Sequence, residues 1–213
     1  MLKGPVLGPM VIGAICFYKS KLEFLSEIGV KDSKKLSPKK RNNLAKILKD
    51  SCHSYKLNII SAQEIDQRVL KKITLNRLEE VKMAELINYL KPDIIYIDAA
   101  DVNEDRFGNS IKKALDYTPK KIISKHKADD LYPIVSAGSI IAKHKRDALI
   151  EEYKYIYGNI GSGYPSDATT IEFLRGYIKK NKKAPIIARK SWDTTKKIIN
   201  DELTYRKITD FFN

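Results

Sequence analysis

Four aspartates in two short stretches are the residues of this chain best placed to do chemistry. Asp98 and Asp101 follow the apolar run Ile94-Ile95-Tyr96-Ile97, and Asp129 and Asp130 follow the strand-like Lys121-Ile122-Ile123-Ser124. Each run has the length and β-branched content of a buried strand. Acids at the carboxyl ends of neighbouring strands stand at the edge where open α/β sheets bind their ligands. Carboxylates converging there repel one another unless a cation lies between them. Hard oxygen donors select Mg²⁺ or Mn²⁺, and such an ion activates water and stabilises the leaving oxygen of a phosphodiester. A strand-end aspartate also serves as a helix cap or a solvated loop acid, so the pattern gains its meaning from its surroundings.

The elements that must hold these acids read as alternating strands and helices. Met10 to Phe17 predicts a buried strand, entered through the turns Gly4-Pro5 and Gly8-Pro9. Ser37 and Pro38 form a cap and first-turn pair for a helix over about 38–50, with Leu44, Ile47 and Leu48 on its apolar face. Tyr55 to Ile60 reads as a strand, and Ser61 is positioned to cap the short segment Ala62 to Leu70. Met83, Leu86, Ile87 and Leu90 keep helical spacing in a helix over about 74–90 that Pro92 stops. A long helix is expected from Leu131 to Tyr157, with Pro133 near its start and Ile140, Ile141, Leu149 and Ile150 on its inner face. After a glycine and proline loop, Gly158 to Asp167, come helices around 169–179 and 192–203. The alternation argues an α/β core followed by a helical, basic C-terminal part.

Forty Lys and Arg against 26 Asp and Glu give the 213-residue chain a net charge of +14, which favours a polyanion, nucleic acid first, as partner. No apolar run reaches the roughly 18 residues of a membrane-spanning helix, so no membrane partner is expected. The turn-rich start fits a secretory signal poorly, which predicts a cytoplasmic location. Cys16 and Cys52 lack partners at metal-ligand spacing and read as buried thiols.

Longer words surround the acids. They are Val30-Lys31-Asp32-Ser33-Lys34-Lys35-Leu36, Tyr96-Ile97-Asp98-Ala99-Ala100-Asp101-Val102 and His126-Lys127-Ala128-Asp129-Asp130. Tyr132-Pro133-Ile134-Val135-Ser136-Ala137, Ser139-Ile140-Ile141-Ala142-Lys143 and Gly161-Ser162-Gly163-Tyr164-Pro165-Ser166-Asp167 follow in order. Together they resemble the archaeal branch of the ribonuclease HII (type 2 ribonuclease H) family, from Gly4 to about Lys197. The resemblance implies an α/β, ribonuclease H-like mixed sheet flanked by helices. Residues 1–145 would form the catalytic core, 146–203 a helical substrate-binding part of the same domain, and 204–213 a tail. It further implies a monomeric endoribonuclease that cuts the RNA strand of RNA–DNA hybrid duplexes and at ribonucleotides embedded in DNA. Two-metal hydrolysis with Mg²⁺ or Mn²⁺ would leave a 3′-hydroxyl and a 5′-phosphate.

By position in that resemblance, Asp98 and Asp129 are catalytic metal ligands. Tyr164 matches the tyrosine that the family uses at the RNA–DNA junction, where a ring and hydroxyl sense a ribose. Lys3 and Gly4 match the family's ribonucleotide-gripping Gly-Arg-Gly-Pro. Ser33, Lys34, Ser139, Lys143 and Arg146 are expected to contact substrate, with Lys190 and the run Lys39-Lys40-Arg41 as further phosphate candidates. His126 is expected to be hydrogen-bonded or phosphate-facing rather than a general base.

The family's first strand ends Asp-Glu-Ala-Gly-Arg-Gly-Pro and supplies two more metal ligands. Here only Lys3-Gly4-Pro5 matches, with Met1 and Leu2 where Ala and Gly would stand, so those acids would fall before residue 1. Either the sequence starts late, which a start in mid-motif favours, or the chain is a truncated, inactive protein that binds hybrids. At the other end, Tyr205-Arg206-Lys207-Ile208-Thr209-Asp210-Phe211-Phe212 resembles the box by which replication proteins bind a sliding clamp, with Tyr205 replacing the usual Gln. Ile208, Phe211 and Phe212 would form its apolar plug, or the phenylalanines would fold back on the chain's own helices.

Overall fold

Helix starts along this chain are set by small polar side chains that accept otherwise unpaired backbone N–H groups, each worth about 1 kcal/mol. The computed structural model describes residues 4–30 and 36–209, with side chains as far as 203. It runs β1 (Met10–Cys16), a 3-10 turn (Lys19–Lys21), α1 (Leu22–Glu27), α2 (Pro38–Ser51), β2 (Ser54–Ile60), α3 (Ala62–Leu70) and α4 (Leu75–Leu90). There follow β3 (Ile94–Asp98), α5 (Glu104–Lys113), β4 (Lys121–Lys125), α6 (Ala128–Leu131), α7 (Pro133–Tyr157), α8 (Ala168–Asn181) and α9 (Asp193–Thr209). Ser37 accepts from Lys40 N at 3.3 Å, Ser61 from Glu64 N at 3.1 Å, Thr74 from Arg77 N at 3.1 Å and Asn103 from Arg106 N at 2.8 Å. The caps expected at Ser37 and Ser61 are therefore formed.

The structure differs from the sequence reading in three places. The single helix expected from Leu131 is two, because Tyr132, which precedes Pro133, is extended (φ −123°, ψ 113°). The proline ring disfavours helical geometry at the residue before it. Asp129 accordingly sits on the one-turn α6 and not at the strand tip. The helices α1 and α5 lie in stretches that the periodicity left unassigned.

The chain forms two compact units, one made of Val11–Ile59 and Thr74–Lys145, the other of Met1–Met10, Ile60–Ile73 and Arg146–Asn213. The strands pair as β1 with β2 and as β3 with β4. The second pair is parallel and registers Ile94 with Lys121 and Asp98 with Lys125, with α5 as the crossover that parallel strands require. Ala99 N–H extends this ladder to Lys125 O at 3.0 Å.

In the first unit, Leu25, Val30, Ala45 and Leu48 close on Ala137, Ile140 and Ile141 of α7. A side chain at Gly13 would put its Cβ 2.7 Å from Gly138 O, so β1 lies directly on the backbone of α7. A second cluster joins Ile95 and Ile97 of β3 to Ile87 of α4 and to Phe107 and Ile111 of α5. Each fully buried Leu, Ile or Phe contributes about 1.5–3 kcal/mol. Glu80 of α4 accepts at 2.7 Å from both Arg77 Nη1 and Ser110 Oγ, which ties α4 to α5.

In the second unit, Leu7 forms an antiparallel bridge with Ala188, and Ile65, Ile160, Leu174, Ile178 and Trp192 are buried. Arg175 joins α8 to α9 through Glu202 at 2.9 Å and Asp201 at 3.4 Å. Cys16 and Cys52 are free and half-buried, and desolvation raises both thiol pKa values. No helix among the described residues is long and apolar enough to cross a membrane.

Candidate active site and nucleic-acid contacts

Asp98 ends β3, and its Oδ1 accepts the N–H of Ala128 at 3.0 Å, so the residue beside Asp129 is bonded to the Asp98 carboxylate. The turn that allows this passes through Lys127 in the left-handed region (φ 52°), a conformation that costs a non-glycine residue about 1 kcal/mol or more. Asp129 is 7% exposed, and its carbonyl oxygen accepts the Ser136 hydroxyl at 2.5 Å. The bond from Ala128 N–H places the backbone of α6, which carries Asp129, beside the Asp98 carboxylate.

Their acidic neighbours are committed elsewhere. Asp101 forms a two-pronged pair with Arg106, Nη2 to Oδ1 at 2.5 Å and Nε to Oδ2 at 3.1 Å, and accepts Asn103 N–H at 3.2 Å. The Arg106 guanidinium, followed by that N–H, holds the Asp101 carboxyl below its ordinary range. Glu104, the first residue of α5, pairs with Lys125 and accepts the N–H of His126 at 3.0 Å. Lys125 is the first cause of its lowered pKa. His126 Nε2 lies 3.2 Å from Val102 O, where it donates, so the ring is hydrogen-bonded as expected. Sequence reading missed Glu104, although Asn103-Glu104-Asp105 is a legible helix start.

Among the described residues, no three His, Cys, Asp or Glu side chains form a group able to hold a metal ion. Asp98 and Asp129 nevertheless fit Mg²⁺ or Mn²⁺ in kind, as hard oxygen donors on adjoining elements, and would supply part of a ligand set.

Tyr164 belongs to the second unit and is 42% exposed. The Arg146 guanidinium lies over its ring, 4.6 Å from the centroid, and donates through Nη2 to Ser162 O at 3.0 Å. Burial lowers the Arg146 pKa from its ordinary value. The loop is held by backbone: Gly163 O accepts Val6 N–H at 2.8 Å and Leu7 N–H at 3.1 Å. Gly163 has φ +83°, and a Cβ there would stand 2.9 Å from Leu7 O, so only glycine fits without movement. Asp167 accepts Ser162 N–H at 2.6 Å and Thr169 N–H at 3.0 Å, which closes the loop at the cap of α8.

Ser139 and Lys143 are half-buried and share a face of α7, four residues apart. Gly4 lies beside Trp192 and Arg189, with its Cβ position 3.7 Å from Trp192 Nε1. Lys39, Lys40 and Lys190 are exposed, whereas Arg41 donates to Leu36 O at 3.2 Å. Lys3, Ser33, Lys34, Phe211 and Phe212 lie outside the described residues, and α9 runs through position 208.

The sequence model of the ribonuclease HII family matches residues 3–195. Ribonuclease HII of Thermococcus sibiricus is 49% identical over 198 residues, covering 92% of this chain and 87% of its own. The crystal structure of ribonuclease H2 from Pyrococcus horikoshii superimposes with a TM-score of 0.88 at 44% identity, covering 97% of this chain and 96% of that one. The ribonuclease HII of the PCNA:RNase HII complex from Archaeoglobus fulgidus matches with a TM-score of 0.79 at 35% identity, over 88% of each chain. The fold is accordingly an α/β, ribonuclease H-like one.

Proposed function

The chain belongs to the ribonuclease HII family of ribonuclease H-type endonucleases, and from that premise we propose that it cuts the RNA strand of RNA–DNA hybrids and at ribonucleotides embedded in duplex DNA. The observation that supports the reading is the bond from Ala128 N–H to Asp98 Oδ1, which sets the residue next to Asp129 against the Asp98 carboxylate. In this reading both carboxylates hold Mg²⁺ or Mn²⁺. The bound ions supply an activated water and charge stabilisation for the leaving oxygen, so that cleavage leaves a 3′-hydroxyl and a 5′-phosphate.

The chain's own residues position and select. The pairs Asp101–Arg106 and Glu104–Lys125 hold the segments on either side of the acids, so Asp98 and Asp129 need little reorganisation to bind an ion. Residues 146–203 serve as the substrate-binding part, where the Tyr164 ring, backed by Arg146, stacks on the nucleotide carrying the 2′-hydroxyl. Ser33, Lys34, Ser139 and Lys143 contact phosphates and fix register without reading sequence. The protein acts as a monomer in the cytoplasm. The relative from Archaeoglobus fulgidus is in complex with PCNA, which supports a sliding clamp as partner through Ile208, Phe211 and Phe212.

The test is cleavage of a duplex carrying one ribonucleotide by the full-length protein. Cutting with Mg²⁺ or Mn²⁺, and none after chelation or with Asp98→Asn, is expected. Duplex binding without cutting under every metal condition would leave a binding-only protein, a role that relatives named as nucleases do not favour.

A further inference from the structure

Tyr164 is carried by a loop whose shape rests on a hydroxyl that the reading above leaves without a role. Thr170 lies in the first turn of α8 and is fully buried. Its Oγ1 accepts Gly163 N–H at 2.9 Å. The same hydroxyl donates to Ile160 O at 3.0 Å, the nearer of its two acceptors, with Asp167 Oδ2 at 3.4 Å. One atom thus ties the entry of the loop to the residue that precedes Tyr164.

A peptide unit is planar, so bonds at its two ends fix the orientation of the whole unit. The unit joining Ser162 to Gly163 is held in this way. Its N–H donates to Thr170 Oγ1, and its carbonyl accepts Arg146 Nη2 at 3.0 Å. That same Arg146 guanidinium lies 4.6 Å from the centroid of the Tyr164 ring, so the peptide that Thr170 holds also seats the cation against the ring. The next unit is fixed through Gly163 O, which accepts Val6 N–H at 2.8 Å and Leu7 N–H at 3.1 Å. Past the ring, Tyr164 O accepts Asp167 N–H at 3.1 Å. The Thr170 hydroxyl is itself placed by the core, since Leu174 and Ile178 of α8 are fully buried. A hydroxyl accepts and donates at once, which a valine of nearly the same shape does not do. Its loss would leave Gly163 N–H and Ile160 O without these partners in a buried setting.

We propose that Thr170 is a positioning residue for ribose recognition, an assignment that rests on the reading of Tyr164 as the residue that meets the 2′-hydroxyl. Its hydroxyl orients the Ser162–Gly163 peptide, the peptide seats Arg146, and Arg146 fixes the Tyr164 ring. A ring already held in one place does not have to be ordered when the nucleotide arrives, so its binding energy goes into telling ribose from deoxyribose. A loop released at Gly163 would still offer an aromatic ring to any nucleotide, but without that discrimination.

The test compares the affinities of the full-length protein for a duplex with one embedded ribonucleotide and for the same duplex in all-deoxy form, with divalent metal chelated. Thr170→Val should lower the ratio of the two affinities by about tenfold, the scale of a lost buried hydrogen bond. Thr170→Ser keeps the hydroxyl and should stay close to the native ratio, a rescue that a purely space-filling role would not give. Adding Thr170→Val to Tyr164→Ala should lower the ratio no further, because residues that act through one another are not additive. Should Thr170→Val fail to fold, Gly161→Ala presses on the same hydroxyl from outside, its Cβ falling 2.6 Å from Thr170 Oγ1, and should lower the ratio in the same direction. A native ratio in Thr170→Val or, where that variant does not fold, in Gly161→Ala would overturn the proposal. So would a serine variant as unselective as the valine one, or additive losses in the double variant. An unchanged ratio in Tyr164→Ala would instead remove the ribose-sensing reading itself, and the proposal with it.

Discussion

The edge that carries Asp98 and Asp129 and the corner that carries Tyr164 and Trp192 solve opposite electrostatic problems. At the first, acids outnumber the groups they need, and the surplus is neutralised locally: Asp101 on Arg106, Glu104 on Lys125 and His126 N–H. At the second, cations lie over aromatic rings, Arg146 on Tyr164 and Arg68 and Arg189 on Trp192. Backbone bonds to glycine hold that corner in shape. An acid edge is suited to cations and bond breaking, and a cationic, aromatic corner to gripping a polyanion. Under the proposed function, chemistry and recognition would rest on separate residues, so loss of one should leave the other intact.

The largest separation is expected from Asp98→Asn and Asp129→Asn. Each should slow cleavage by about a thousandfold through lost metal-based stabilisation while leaving duplex affinity within a few-fold. Single-turnover rates beside equilibrium binding check this, and a parallel loss of affinity would merge the two regions. Gly163→Ala should come next. Its φ of +83° and the 2.9 Å approach to Leu7 O predict a loss of about 1–3 kcal/mol, read by denaturant melts, together with weaker duplex binding. Tyr164→Ala should lower the preference for a ribonucleotide over a deoxynucleotide at the junction by about tenfold, at unchanged metal dependence.

The smallest effect concerns pH. Asp101 and Glu104 have pKa values lowered by Arg106 and Lys125 from ordinary values of 3.8 and 4.5. Carboxyls held low when folded stabilise the native state above their unfolded range, and that contribution is lost as pH falls through the folded values. Asp101→Asn and Glu104→Gln should therefore destabilise at neutral pH and flatten the stability profile below about pH 4. An unchanged profile would show that these pairs are solvent-screened ornaments of the edge.

Much of this was legible in the sequence because it was local. Ser37, Ser61 and Pro92 announce their helix ends through chemistry acting within a few residues, and the strand runs before Asp98 and Asp129 show in their β-branched content. The break at Tyr132 was readable from Pro133, but the apolar spacing running through it masked the signal. The helix Glu104–Lys113 has a cap at Asn103, acids in its first turn and lysines in its last, yet its two buried anchors, Phe107 and Ile111, are too few for a strong period. The partners of the acids were not legible: nothing in spacing links Glu104 to Lys125, or Arg68 to Trp192, since parallel pairing and chain return bring them together. Gly163 and Gly4 read as turn residues, and their second role, leaving room for neighbouring groups, appears only in three dimensions.

The most direct test of the central claim is the chemistry of the cut ends. A duplex with one embedded ribonucleotide, labelled on each side of it, is incubated with the full-length protein in Mg²⁺, in Mn²⁺ and after chelation. A nick with a 3′-hydroxyl and a 5′-phosphate that needs the metal is the expected result. A metal-independent nick ending in a 2′,3′-cyclic phosphate, the mark of attack by the ribose's own 2′-hydroxyl, would contradict it.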